Sequence, residues 1–120
     1  MVLAATPVIS EFLASNSGGL RDADGDSVDW IEIYNPTDAA FDLTGWSLTD
    51  DLNDVDQWVF PQVMLQPDDF LIVFASGKNR AVAGQELHTN FELAREGEFL
   101  GLFQPNGEAA STFGVSYPEQ

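Results

Sequence analysis

Cysteine is absent from these 120 residues, which removes disulfides, thiolate metal sites and cysteine nucleophiles. The absence leaves the compartment open, because exported proteins also exist without disulfides. Basic residues are nearly as scarce: four Lys and Arg stand against twenty Asp and Glu, for a net charge of -16. Phosphate-backbone binding draws on Lys and Arg to release counterions, so neither nucleic acid nor an anionic membrane is an expected partner. Charge of this sign suits a soluble, self-repelling surface or the binding of cations. No apolar run approaches the roughly 20 residues of a membrane-spanning helix, so membrane insertion is not expected. The start Met1-Val-Leu-Ala-Ala-Thr-Pro7 lacks a basic n-region and is neither a complete signal peptide nor a span; it reads as a remnant beside a cut. Catalytic settings are missing too. No Ser lies in Gly-x-Ser-x-Gly, and Glu11, Glu32 and Glu92 are general-acid candidates by strand location alone. His88, the one histidine, has no Cys or His neighbour and reads as a structural residue in a strand or at an edge. The chain is therefore expected to be non-catalytic.

What is present is short apolar segments. With 44% apolar and 12% aromatic residues, the length suits one domain with one core. Gly, Pro, Asn and Asp break the chain into stretches rich in Val, Ile, Phe, Trp and Thr, the pattern of an all-β sandwich. Seven or eight strands are predicted, near Val8 to Leu13, Asp29 to Asn35, Gly45 to Thr49, Gln57 to Phe60, Phe70 to Ala75, His88 to Leu93, Glu98 to Gln104 and Ala110 to Val115. Turn residues mark Asn35-Pro36, Gln66 to Asp69, Arg95-Glu96-Gly97 and Gln104 to Gly107. Ile31 and Ile33 share one face of their strand, and Trp30, Glu32 and Tyr34 the other. The run Phe70 to Phe74 has no polar face, which fits a strand covered on both sides or one whose outer face meets a loop or partner. Ser76 to Gln85 reads as a long connection.

The densest chemistry is an acidic run leading into the second strand. Asp22, Asp24 and Asp26 stand at spacing i, i+2, i+4 around Gly25, with Asp29 three residues further on. Ca²⁺ takes six to eight oxygens in a flexible shell, and crowded carboxylates repel unless a cation or solvent relieves them. The run is not an EF-hand: Gly25 sits at the fourth position, and Ile33 stands where the bidentate Glu belongs. A calcium site on Asp22, Asp24, Asp26 and Asp29 is the expectation, against a solvated Asx-turn loop. A second cluster after the third strand, with Asp50, Asp51 and Asp54 as the weaker metal candidates, also includes Asn53 and Asp56. Trp30, Trp46 and Trp58 offer a sugar-stacking platform, but core packing with a hydrogen-bonded indole is the stronger reading.

The ordered set Ile9-Ser-Glu-Phe12, Asp29-Trp-Ile-Glu-Ile-Tyr-Asn35, Leu43-Thr-Gly-Trp-Ser-Leu-Thr-Asp50, Trp58-Val-Phe-Pro61, Phe70-Leu-Ile-Val73 with Ala75-Ser-Gly-Lys78, and His88-Thr-Asn-Phe-Glu-Leu93 followed by Gly97-Glu98 resembles the lamin-tail domain. The resemblance spans nearly the whole chain and implies an immunoglobulin-like β-sandwich of mostly antiparallel strands. The acidic insert is similar to the family's bacterial branch, whose members serve as accessory modules of large surface or secreted proteins. The nuclear role of lamin tails, which uses basic surfaces, does not fit a chain whose fixed cations are Arg21, Lys78, Arg80 and Arg95. Residues 1–120 are thus expected to be a single lamin-tail-like domain cut from a larger chain. The expected function is an extracellular or cell-surface module for adhesion, anchoring or domain organisation, with calcium as its cofactor. Its partners would be other domains of a parent surface protein or a cell-surface ligand. A carbohydrate-binding module and a self-assembling subunit joined through open sheet edges are the alternatives.

Overall fold

Alternation of Ile31 and Ile33 with Trp30, Glu32 and Tyr34 is what sends one set of side chains inward and leaves the other half-buried. A computed structural model describes residues 6–14, 18–93 and 99–113. Its strands are β1 (Val8–Leu13), β2 (Asp29–Tyr34), β3 (Phe41–Asp42), β4 (Ser47–Thr49), β5 (Trp58–Val59), β6 (Met64–Leu65), β7 (Phe70–Ala75), β8 (Leu87–His88), β9 (Leu100–Phe103) and β10 (Ala109–Phe113). One sheet has the order β1-β2-β7-β8 and the other β10-β9-β4-β5, with a small β3-β6 pair beside them. All pairings are antiparallel except β7 with β8. The result is the immunoglobulin-like all-β sandwich. The turn expected at residues 95–97 and the last residues of the final strand lie outside the described residues.

The core lies between the two sheets. Ile9, Ile31, Ile33 and Val73 from one side meet Leu48, Trp58, Leu100 and Leu102 from the other, all at most 5% exposed. Each such side chain contributes roughly 1.5–3 kcal/mol on burial. Trp46 precedes β4 rather than lying in it. Its N–H closes a turn onto Leu43 O at 2.9 Å, and its ring meets Phe41 edge-on at 5.3 Å. Gly45 takes φ +83° in that turn, a backbone conformation that L side chains rarely adopt. Gly101 in β9 is required for a different reason: a Cβ would fall 2.6 Å from Phe103 and 2.9 Å from Phe99, whose rings close over the backbone.

Burial of Trp46 and Trp58 leaves no three-tryptophan platform for a sugar. Two of the three indoles lack the hydrogen bond expected of core packing: Nε1 of Trp30 and of Trp58 is buried without a partner among the described residues. Ser47 and Thr49, polar positions in a short strand, are buried alongside Leu48. The reason is the following turn, which folds back so that Ser47 Oγ donates to Val55 O at 2.7 Å and Thr49 Oγ1 lies 2.8 Å from Asp54 O. The segment expected as a strand from His88 to Leu93 keeps only Leu87–His88 in β8.

The sheet edges are short or occupied. Beside β1 runs β10, joined by Ile9 N–H to Ser111 Oγ at 3.2 Å and by the Phe12 and Phe113 rings at 4.8 Å. The outer edge of β8 is taken by Arg80, which exchanges both backbone hydrogen bonds with His88 at 2.9 Å. Edge-to-edge pairing between copies would meet these protections.

Candidate functional site

At the Ala75 end of β7 the chain turns through Ser76, Lys78 and Arg80, and β8 brings Glu86 and His88 alongside. The hairpin of residues 21–27 folds onto this edge. Asp22 shapes the hairpin itself: its N–H donates to Asp26 O and its own carbonyl accepts from Gly25 N–H, both at 2.9 Å. Oδ1 of its carboxylate then accepts the N–H groups of Asp24 and Asp26 at 3.0 Å each. Arg21 Nη1 donates to Gly25 O at 2.9 Å.

The spacing of the three aspartates brings their outer oxygens to one point, and at that point sits the Lys78 ammonium. Nζ lies 2.6 Å from Asp22 Oδ2, 2.9 Å from Asp24 Oδ2 and 2.8 Å from Asp26 Oδ2. Arg80 Nη2 adds a second cation on Asp24 Oδ2 at 2.8 Å. The Asp22 side chain is 0% exposed, whereas Asp24 and Asp26 open to solvent at 42% and 59%. Burial pulls the Asp22 carboxyl up, but the hydrogen bond from Lys78 and those from the Asp26 and Asp24 backbone hold it below the usual range. Lys78 and then Arg80 pull Asp24 down to about 2. In return the hydrogen bonds from Asp22, Asp26 and Asp24 hold the Lys78 ammonium above its ordinary value.

A second chain of hydrogen bonds runs beneath. Ser76 Oγ is 2.7 Å from His88 Nδ1 and accepts Lys78 N–H at 3.1 Å. His88 Nε2 is 2.9 Å from Glu86 Oε1, and Glu86 accepts Ala23 N–H at 2.9 Å. In the neutral ring this assigns the proton to Nε2, facing the carboxylate, and leaves Nδ1 to accept from Ser76. Ser, His and carboxylate stand in the order of a hydrolytic triad. Here Ser76 is 9% exposed and His88 0%, and both ends of the chain are tied to backbone N–H groups. Its effect is to fix the acidic hairpin to the sheet.

Of the four expected calcium ligands, Asp22, Asp24 and Asp26 come together within 4.8 Å, and a second possible grouping is Asp22, Glu86 and His88. Asp29 stands apart from both: it opens β2, accepts Leu93 N–H at 3.3 Å, and lines a cleft of about 180 Å³ with Ser27, Ser76 and Glu92. The weaker candidates Asp50, Asp51 and Asp54 form no such grouping among the described residues. Asp51 Oδ1 accepts Asn53 N–H at 2.9 Å. Asp54 is pushed above its ordinary value by burial and by Asp56. The three general-acid candidates do not converge: Glu11 and Glu32 pair across β1 and β2, and Glu92 lines the cleft. The parts not legible beforehand are Lys78, Arg80 and the Ser76–His88–Glu86 chain. Glu86 and His88 carried the signal of alternation, being two residues apart on an extended backbone, whereas Lys78 and Arg80 are joined through Asn79 at φ +55° and no strand period relates them.

A family model described as Lamin Tail Domain matches residues 4–117. No curated protein matches the sequence.

Proposed function

The chain belongs to the lamin tail domain family, and from that premise we propose that it is a non-catalytic extracellular module that serves adhesion, anchoring or domain organisation in a larger surface protein. The observation that carries this reading is how the one dense polar cluster spends its groups. Asp22, Asp24 and Asp26 are occupied by Lys78 and Arg80, and Ser76, His88 and Glu86 are occupied by one another and by backbone N–H groups. Interactions of that kind hold a loop on a sheet and leave no group free to act on a substrate. Calcium remains part of the proposal in a limited form. To bind Asp22, Asp24 and Asp26 it must expel the Lys78 ammonium, so its affinity falls in the millimolar range typical of extracellular modules.

Hydrolysis of an activated ester such as p-nitrophenyl acetate tests the non-catalytic reading. Wild type and Ser76→Ala should share the same background rate. Turnover by wild type that disappears in Ser76→Ala would overturn it.

A further inference from the structure

Registers across β1, β2 and β7 put two rows of side chains on the outer face of the first sheet, away from the core. Val8, Tyr34 and Phe70 form one row, and Glu11, Glu32 and Ile72 the next. A third row ends in Phe74, which is closed off by stacking on His88 at 5.3 Å. The two open rows are unlike each other. Phe70 is 58% exposed and stacks on Tyr34 at 4.6 Å, while the Tyr34 hydroxyl donates to Asp68 at 2.9 Å. Glu11 and Glu32 are direct cross-strand partners, an arrangement of like charges that costs stability. Ser10 Oγ donates to Glu32 Oε1 at 2.8 Å, but among the described residues neither glutamate meets a cation. The described cations are elsewhere: Lys78 and Arg80 hold the aspartates, and Arg21 holds Gly25 O.

We propose that this face is the module's docking surface for a cationic, partly apolar peptide segment of another domain or protein. A basic side chain of that segment sits between Glu11 and Glu32 and relieves their repulsion. A second side chain, apolar or arginine, packs on the Phe70–Tyr34 stack, where a guanidinium gains from the ring face. The two rows are two residues apart along β2 and β7, and three along β1, which bulges between Ile9 and Glu11; two residues of strand span about 7 Å, so the matching segment carries its two anchors at i and i+2 if extended. The proposal rests on the binding-module reading and adds the face and the chemistry of the partner.

The test uses two synthetic peptides of equal charge, one alternating arginine with valine and one with the arginines and valines in separate blocks. Binding is followed by amide chemical-shift changes in the wild-type chain. The alternating peptide should bind more tightly and move the amides of β1, β2 and β7. The double variant Glu11→Gln/Glu32→Gln should bind it at least tenfold more weakly, and its own melting temperature should rise because the repulsion is gone. Phe70→Ser should weaken binding by a similar factor. General attraction to a chain of net charge -16 would scarcely change on losing two of twenty acidic groups. Equal binding of both peptides, or binding indifferent to all three substitutions, would therefore overturn the face. Shifts that map to another surface would overturn the face while leaving the module reading intact, and esterase turnover would do the reverse.

Discussion

Two acidic turns in this domain look alike as strings of letters and behave as opposites in the fold. In residues 22–26 the carboxylates converge on Lys78, with Arg80 behind it, and Asp22 and Asp24 are held below their ordinary values. In residues 50–56 no cation arrives among the described residues, and Asp54 is pushed up by burial and by its neighbour Asp56. The second turn is organised from its backbone instead. The buried Thr49 hydroxyl lies 2.8 Å from Asp54 O and accepts Asp51 N–H at 2.9 Å, and Gln57 Oε1 accepts Asp50 N–H at 3.1 Å. The segment from His88 to Asn90 links to both turns, since Asn90 Nδ2 donates to Gln57 O while His88 and Thr89 pair with Arg80 and Asn79. The number of carboxylates does not decide whether a loop gathers around a cation; what the rest of the fold delivers to it does.

The contrast breaks most visibly at Asp22. Asp22→Ala leaves two hairpin N–H groups and the Lys78 ammonium without their acceptor, and it should cost about 2–4 kcal/mol. Asp51→Ala, which loses one exposed Asx contact, should stay within about 0.5 kcal/mol. Urea midpoints of the two variants decide the matter, and equal midpoints would erase the distinction.

Calcium sharpens the comparison on a smaller scale. Ten millimolar Ca²⁺ added after EDTA should stabilise the wild type by about 1 kcal/mol, as expected for a millimolar ligand of the folded state, with Mg²⁺ weaker. Lys78→Met, which vacates the meeting point of the three oxygens, should bind Ca²⁺ more tightly than wild type does. Melting curves of both proteins check this against NaCl at matched ionic strength. No response in either protein would remove calcium from the account.

The smallest expected effect is in the acid limb, where the two turns should pull in opposite directions. Asp24 falls from 3.8 unfolded to about 2 folded, so its contribution is fully present above pH 3.8 and is lost as pH falls toward 2. Asp54, raised in the folded state, penalises the fold at neutral pH, and protonation relieves that penalty. Thermal unfolding from pH 6 to pH 2 should therefore show a shallower acid loss in Asp24→Asn and a slightly higher neutral melting temperature in Asp54→Asn. Lys78, raised above 10.5, acts on the alkaline side, where its support is complete below pH 10.5 and is lost as pH climbs through the higher folded value.

How much of this could be read beforehand depended on range along the chain. The bounds of β1 and β7 follow from their own apolar residues, and β2 shows its period of two within its own six residues. The pairs Phe41–Asp42 and Met64–Leu65 are too short to show any period and were not foreseen. Ser47 and Thr49 are polar yet buried, and nothing local shows it because the turn that covers them lies further along the chain. The acidic hairpin was visible as a cation site, but its cation was not: Lys78 lies 56 positions from Asp22, and no local pattern joins them. Scarcity was the usable clue, since in a chain with four basic residues two of them spaced i, i+2 invite the question of what they face.

The seam between the first and last strands has a mechanical meaning. Ile9 meets Ser111 and Phe12 meets Phe113, so β1 and β10 run side by side in the same direction. Tension applied between Val8 and Phe113 slides one strand along the other and loads the seam in shear, with its contacts strained together rather than peeled apart in turn. Resistance to a pull is set by the barrier to unfolding, not by equilibrium stability. Pulled in this orientation, the domain would yield late, whatever its two acidic turns contribute at rest.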